Sequence, residues 1–568
     1  MMARRAAGIV QALVTLVAYL GVVVWLTWPL AAHLGTHLPN THIGCEFDLL
    51  HFTAILAHGA RALAAGGTTL LEAPFYYPAP HALLYGEYGL GAQLLFAPVF
   101  LFTGSPTVAV NVLFLGGVAL TAWSLHLVAR RWTGSAAAAA VAGATFLLTG
   151  WVLYEFLPTA PPYVPLFWLP PIILLASSAA PSSWRRLMVL GGLIVLQSLA
   201  SPVYVAPAVF AVLGVLAAWR LCRPATRRAG LQLVGVLVGV LLVLAPAYAG
   251  YAWVRRTSPS LKDQSVWNFL VTPRFPEDVL GNDAPTAVPF VALAVGLAGA
   301  VLAARGARVV PARAWRHVAL WAVVGTLISL PPEMRIGDEV YRLPHAWLGT
   351  FLPIFEVGGI RTPIRFGVVA LMGLSLLAAL GTAELGTRLG RRGVVALAVL
   401  TVGLMYGEYV VGIGGYTPRR ARGGPYPLAA AVRGDTPLVA ALAHGRGPVL
   451  ELPIVVLYPF LYWPPPQARA MYRGIFHRRP ILNGSNSYWP MSFAGEMEAA
   501  RKLPDPFALG VLRRASGLTT VVVHGDELDA AQRSAWEQVA AEGHGPLRLI
   551  ARDGADLVFD VSEAAPSS

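Results

Sequence analysis

Apolar stretches of about 17–24 residues, nearly free of charge, follow one another along most of this 568-residue chain. An α-helix rises 1.5 Å per residue, so crossing a hydrocarbon core of about 30 Å takes about 20 mostly apolar residues. Segments of that kind occupy residues 8–31, 107–129, 135–157, 163–180, 187–203, 204–220, 231–253, 287–304, 316–332, 366–384 and 393–412. They predict about eleven spans. Composition agrees: apolar residues make up 56 % of the chain and charged residues 12 %, about half the charged share of a soluble domain. Disordered, collagen-like and disulfide-rich secreted chains are excluded, and the expected class is a mainly α polytopic membrane protein. Arg4 and Arg5 precede the first span and no small-residue cleavage pattern follows it, so it reads as an anchor.

The net charge of +13 comes from 42 basic against 29 acidic residues, and only Lys262 and Lys502 among the basic ones are lysine. Such arginine usage fits a GC-rich, bacterial genome. Scattered between spans, the arginines read as loop charge at a membrane surface and not as a nucleic-acid footprint, so the lipid bilayer is an expected partner and nucleic acid is not. Residues 88–104 are apolar but short and broken by Pro98. If they cross, the later arginine clusters fall outside; if they lie in the interface or re-enter, those at 130–131, 185–186, 220–228, 305–316 and 388–392 become cytoplasmic. The positive-inside rule selects the second arrangement. The expected location is the bacterial inner membrane, with a cytoplasmic N-terminus and an extracytoplasmic C-terminus. Cys45 and Cys222 then fall on opposite faces, which speaks against a disulfide. The expected organisation is a transmembrane domain over 1–412, a Gly-, Pro- and Arg-rich linker over 413–446, and an extracytoplasmic α/β domain over 447–568. The first outer loop, 32–106, carries an apolar surface helix at 48–65. In the last domain, strands are expected at GPVLELPIVV and TTVVVHG, a helix at ELDAAQRSAWEQVAAEG, and a hairpin around Asp553-Gly554.

Acids are scarce, so their places are informative. Glu46 and Asp48 stand together on the first outer loop. Two close carboxylates suit a divalent cation such as Mg or Mn, or a general base for a hydroxyl; alternatively, Asp48 is the N-cap of the helix that follows. His51, His81 and Glu87 lie on the same loop among aromatics that also fit an interfacial belt, without zinc spacing. Tyr154 and Glu155 close the third span. Arg361 and Arg365, four residues apart in GGIRTPIRFG at a span entrance, suit a phosphate clamp at headgroup depth or two snorkelling anchors; Arg255 and Arg256 raise the same choice. PFLYW (459–463) and YRGIFHRRPILNGSNSYW (472–489) mix aromatic rings with polar groups in a way that suits a sugar surface or an ordinary loop. No Walker A, no G-x-G-x-x-G after a strand, no H-E-x-x-H and no G-x-S-x-G is found, which disfavours ATP-driven transport and zinc proteolysis.

The layout resembles the GT-C superfamily of membrane glycosyltransferases, and more closely a set of bacterial GT-C-like multipass proteins. The likeness rests on Asp48 ahead of LLHFTAILAHGARAL, on FYYPAPHALLYGE, LTAWSLHLVARRWTGSAAAAAVAG and GGIRTPIRFG, and on ARAMYRGIFHRRPILNG, LPDPFALGVLRRASGLTTVVVHGDEL and ARDGADLVFDV. It covers nearly the whole chain. It implies an inverting transferase that moves a sugar from a polyprenyl-phosphate carrier to a glycan, lipid or protein acceptor at the outer face. Asp48 would be the catalytic carboxylate, with Glu46 beside it, and Arg361 and Arg365 would bind the carrier phosphate. Phe47 stands where the family has glycine before the aspartate, a departure that bears on metal binding more than on the base. A non-catalytic scaffold or a lipid-linked glycan translocase is the alternative. Reporter fusions at residues 135, 225, 310 and 450 test the topology: the first three should report from the cytoplasm and the last from outside, whereas the opposite signals at 310 and 450 would make 88–104 a span.

Overall fold

The computed structural model describes residues 2–178, 180–258, 284–306, 309–330, 333–343, 363–412, 424–458, 461–542 and 545–561. Each of the eleven apolar segments contains a helix. By length and composition, five described segments can cross a membrane: Gly8–Leu26, Pro106–Thr133, Pro224–Val254, Pro363–Leu389 and Arg392–Val411. Others are shorter than the apolar runs that contain them. The run 135–157 is helical over Ala136–Leu147 and then widens into a π turn at Trp151–Glu155. The run 163–180 keeps only Leu169–Ala176, because Pro161, Pro162 and Pro165 interrupt the approach to it. The helix Gln93–Thr103 has 11 residues, about 16 Å, and falls short of a crossing.

The innermost helix is Val368–Gly386, in which only Leu374 and Leu385 are not fully buried. A helix apolar all round must be enclosed, and small residues let its neighbours close on it. A side chain at Gly299 would stand 2.3 Å from the Cα of Gly381, and one at Gly325 would stand 2.5 Å from the backbone nitrogen of Ala370. These contacts seat Phe290–Ala304 and Ala312–Ser329 against the central helix, a small-residue crossing of the kind that drives helix association in lipid. The outer helices turn apolar side chains outward: Val17 is 68 % and Leu242 71 % exposed. Two acids inside the bundle are bonded by backbone N–H groups. Glu408 accepts from those of Phe290 (2.7 Å) and Val291 (2.8 Å), and Glu384 from those of Val309 and Val310. Glu408 thereby meets orphan donors at a positive helix end, and Glu384 holds the turn ahead of the helix Ala312–Ser329.

The C-terminal sheet has four strands in the order Val449–Leu452, Thr520–His524, Asp556–Val561, Leu547–Asp553. The first pair is parallel and the others antiparallel. The hairpin turns at Gly554, whose φ of 59° only glycine adopts without strain. Every strand and helix expected here from sequence has a counterpart, but the helices Pro464–His477, Phe493–Ala500 and Pro506–Ser516 had no such signal.

Three expectations need correction. The stretch read as a linker is partly built into the fold: Leu428–Ala430 pairs antiparallel with His37–Pro39, Tyr426 donates to the Leu153 carbonyl (2.6 Å), and Thr436 caps a helix at Pro437–His444. The helix Asp48–Ala64 is not laid open on a surface; Leu49, Ile55, Leu56, Ala57 and Ala60 are buried, and it packs on Pro464–His477 and Gln93–Thr103. The aromatic segment 472–489 is interior and not a sugar platform. Tyr472 is fully buried with its hydroxyl 2.8 Å from that of Thr107, and Trp489 is 6 % exposed.

Asn483, within the same segment, is buried as well. Its side chain accepts from Glu451 N–H (2.8 Å) and donates to the Glu451 carbonyl (2.9 Å) and to Gln467 (3.1 Å). Asn483→Ala should therefore lower stability by about 2–4 kcal/mol, since each buried group left unpaired costs about 1–3 kcal/mol. A melting temperature in detergent equal to wild type would show that water replaces the amide.

Candidate functional site

The loop that carries the acids is held from two sides. Ile43–Glu46 forms a 3₁₀ turn in which His42 Nδ1 accepts from Gly44 N–H at 3.1 Å. A neutral His42 therefore carries its proton on Nε2, which faces Glu155 Oε2 at 3.8 Å. Gly44 lies against Thr159, where a Cβ would come within 3.1 Å. The π turn thus presents Glu155, with its side chain only 10 % exposed, to the foot of the acidic loop.

Asp48 is not the N-cap. Phe47 holds that position without a side-chain bond, and Asp48 is the first helical residue. A carboxylate there gains from the positive helix end. Its Oδ1 lies 3.7 Å from His51 Nδ1. This is no ion pair at neutral pH, because burial lowers the His51 pKa to about 4. His51 Nδ1 instead lies 3.3 Å from the Phe47 carbonyl. Glu46 is exposed, and among the described residues no three of His, Cys, Asp and Glu converge where a metal could sit.

The second acid is better enclosed. Glu87 Oε1 accepts a short hydrogen bond from the Tyr163 hydroxyl, while Oε2 is buried with no hydrogen-bond partner among the described residues. Burial raises the Glu87 pKa to about 7, against the lowering pull of Tyr163 and Arg365. A carboxyl shifted this far by a cleft is a functional-site signal. Arg365 lies between two rings, its guanidinium carbon 4.4 Å from the Phe156 centroid and 5.1 Å from that of Tyr204. Phe156, Tyr163 and Tyr204 also pack on one another, at 4.8 and 5.9 Å between centroids. Arg365 feels the charges of both Asp48 and Glu87. No carboxylate lies within 4 Å of it among the described residues, and it has no hydrogen bond there. Rings cover it, and among the described residues its N–H edge is uncommitted, the arrangement of a group awaiting an anion.

The structure therefore brings Asp48, Glu87 and Arg365 into one electrostatic neighbourhood, with Glu155 at its foot. Other expected residues stand apart from it. Tyr154 is bound to Tyr409 through their hydroxyls and packs on Tyr426, a structural role. His81 is exposed and engages Glu72 at 2.6 Å. Arg256 is exposed at the end of the helix Arg227–Thr257, and of Arg255 only the backbone is described. Arg361 lies outside the described residues. Sequence reasoning missed the aromatic box of Phe156, Tyr163 and Tyr204. Its only linear signal is a cluster of prolines and aromatics after the third apolar run.

Comparison with protein-family models and with curated proteins finds no match. Among solved structures, the chain is similar to the crystal structure of ArnT from Cupriavidus metallidurans bound to undecaprenyl phosphate. The TM-score is 0.51 at 14 % identity, over 98 % of this chain and 99 % of that one. The likeness shows the fold alone: this chain shares the overall architecture of that structure along nearly its whole length.

The Glu87 assignment has a readout independent of any reaction. Its folded pKa lies above the usual carboxylate value, so the neutral form favours folding. That contribution is complete below about pH 4.5 and is lost as pH rises through about 7. Melting temperatures between pH 4.5 and 8 should fall for wild type relative to Glu87→Gln, by the equivalent of about 3 kcal/mol at 1.36 kcal/mol per pKa unit. Parallel curves would show that Glu87 is hydrated.

Proposed function

We propose that this protein is an inverting glycosyltransferase that takes a sugar from a polyprenyl-phosphate carrier and passes it to a hydroxyl of a glycan, lipid or protein at the extracytoplasmic face. The observation that carries this reading is Arg365, a cation clasped between aromatic rings with no ion partner among the described residues, in reach of two carboxylates and within a GT-C fold. The ArnT structure, bound to undecaprenyl phosphate, supports a lipid phosphate as its partner.

Breaking the glycosidic bond leaves negative charge on the carrier phosphate. A cation already in place stabilises that charge in the transition state more than in the ground state. Arg365 fills this role, with Arg361 as its expected companion. Asp48, at the open end of its helix, takes the proton of the attacking hydroxyl. Glu87 regulates Arg365: protonated, it leaves the full positive field for the phosphate; ionised, it offsets that field. Glu155 orients the loop through His42. The residues present do not form a protein cage for a cation. Mg or Mn would be held by Asp48 and Glu46 together with substrate oxygens, and the steps above use only the protein's own groups. On this reading the N-terminus is cytoplasmic and residues 413–568 lie outside, an orientation supported by the distribution of the loop arginines.

The test follows radiolabelled sugar leaving a polyprenyl phosphate in membranes, with protein amounts matched. Asp48→Asn keeps shape and should lower kcat by roughly 10²–10⁴ with little change in KM. Arg365→Gln should reduce kcat/KM by roughly ten- to a hundredfold, the usual effect of losing one charge-assisted contact. Wild-type kcat in Asp48→Asn, together with loss of kcat in Glu87→Gln, would make Glu87 the base. No transfer from any carrier by the wild type would favour the scaffold or translocase.

A further inference from the structure

A second basic site lies away from these residues, at the far end of the Asp48–Ala64 helix. From Asp48 to Arg61 is 13 residues, roughly 20 Å along the axis. There the helix faces Pro464–His477 across a cavity of about 250 Å³, several times the roughly 30 Å³ that one water occupies in liquid. Arg61, Arg478 and Arg479 line it together with His58, Thr69 and Glu72.

The charges of these groups do not cancel. Arg479 is committed: its guanidinium donates to the carbonyls of Leu442, Arg446 and Gly447 and to the hydroxyls of Thr519 and Thr520. Glu72 is committed too, its two oxygens meeting Nδ1 (2.6 Å) and the backbone N–H (3.0 Å) of His81. His58 Nε2 lies 3.0 Å from the Leu70 carbonyl, and burial lowers the ring's pKa, so it adds no charge. Arg61 and Arg478 have no hydrogen bond or ion pair through their side chains among the described residues, yet they line the same cavity, and Arg61 feels the charge of Arg478. Two unpaired guanidiniums held towards one cavity repel each other, and an anion between them removes that repulsion.

The surroundings indicate where the anion sits relative to the bilayer. The Arg61 guanidinium carbon lies 5.0 Å over the ring of Phe100, on the apolar helix Gln93–Thr103. That helix exposes Leu94 (57 %), Leu101 (51 %) and Phe102 (92 %), a surface suited to acyl chains. The cavity thus joins a phosphate-sized basic site to a lipid-facing helix.

We propose that Arg61 and Arg478 form a phosphate-binding site, separate from the Arg365 site, that takes the phosphate of an anionic lipid headgroup or free phosphate. Its occupant ties the helix that begins at Asp48 to the C-terminal helix Pro464–His477. The site stands independently of the transferase reading.

The test uses the full-length protein in phosphatidylcholine-containing micelles. Melting temperature is followed against inorganic phosphate in one series and against phosphatidylglycerol in another. The wild type should be stabilised by at least one probe, less so at high salt because part of the site is exposed. Arg61→Gln with Arg478→Gln should raise the half-saturating concentration at least tenfold, and Arg61→Lys should restore part of the response. Arg478→Gln alone, changing an exposed side chain, serves if the double variant does not fold. A response to phosphatidylglycerol far below the phosphate concentration needed identifies a lipid headgroup; equal potency identifies free phosphate. No response of the wild type to either probe, or the same response in the variants, overturns the proposal.

Discussion

The candidate site depends on a set of backbone hydrogen bonds between segments some 400 residues apart in sequence. Ile481 donates to Pro74 O (2.7 Å), Tyr77 to Ile481 O (3.0 Å), Tyr76 to Asn483 O (3.1 Å) and Tyr488 to Tyr85 O (3.2 Å). A loop as long as the one between the first span and Pro106 has high conformational entropy and would not by itself hold a carboxylate to within an ångström. Here its far half is fastened to the C-terminal region as an added strand would be. Side chains seal the contact: Gly484 lies against Tyr76, and Gly86 against Asn486, too closely for a Cβ at either glycine. Glu87 follows Gly86 directly, so its burial is a consequence of this pairing.

The management of charge separates structural groups from candidate functional ones. A chain with so few charged residues has to satisfy each buried one. Glu408 caps a helix, Glu384 accepts from two loop N–H groups, and Arg479 gathers carbonyls and hydroxyls. Glu451 receives Arg473 and His524; burial would raise its pKa, but these two hold it well below the usual carboxylate range. His524 is in turn engaged by Asp556 at 3.0 Å. Each of these groups has charged or polar partners, although Glu451 Oε1, like Glu87 Oε2, is buried without a hydrogen bond among the described residues. Arg365, the Oε2 of Glu87, and the Arg61–Arg478 pair differ, because the described structure buries or crowds them without meeting their bonding capacity. Such groups raise the energy of the empty fold and favour an occupant of opposite charge.

Much of the architecture was legible because membrane insertion forces it into the linear sequence. Apolar run length located the helices, and an alternating or uniformly apolar pattern located the strands at Val449, Thr520 and Asp556. What was not legible depends on distant packing. Nothing local to Pro464–His477 distinguishes a buried helix from a loop, since its moderate apolar content gains meaning only against the Asp48–Ala64 helix. The aromatics at 472–489 read as an exposed platform because ring-plus-amide composition is the same in a core and on a surface. The cap reading of Asp48, one of the alternatives, rests on the common preference of that position, but the helix starts one residue earlier, with Phe47 at the cap. In the site, Asp48 and Arg365 were visible as acids and bases in unusual places. Glu87 was visible only as one of several loop acids, and its special status comes from Tyr163 and from burial.

The position of Arg365 explains why the aromatic box belongs to the site and is not mere filling. A partly buried guanidinium needs compensation, and a carboxylate in direct contact would provide it at the expense of any ligand. Rings provide it differently. Their faces are negative, they cover the planar surfaces of the cation, and they leave its N–H edge open. Phe156 comes from the end of the π turn, Tyr204 from the start of the helix Val205–Leu221, and Tyr163 links the box to Glu87. Three separate segments thus converge on one cation. Phe156 follows the π turn that interrupts the run 135–157, and Tyr163 lies in the 3₁₀ turn ahead of the short helix of the run 163–180, so the breaks in those two runs are what bring both rings to it.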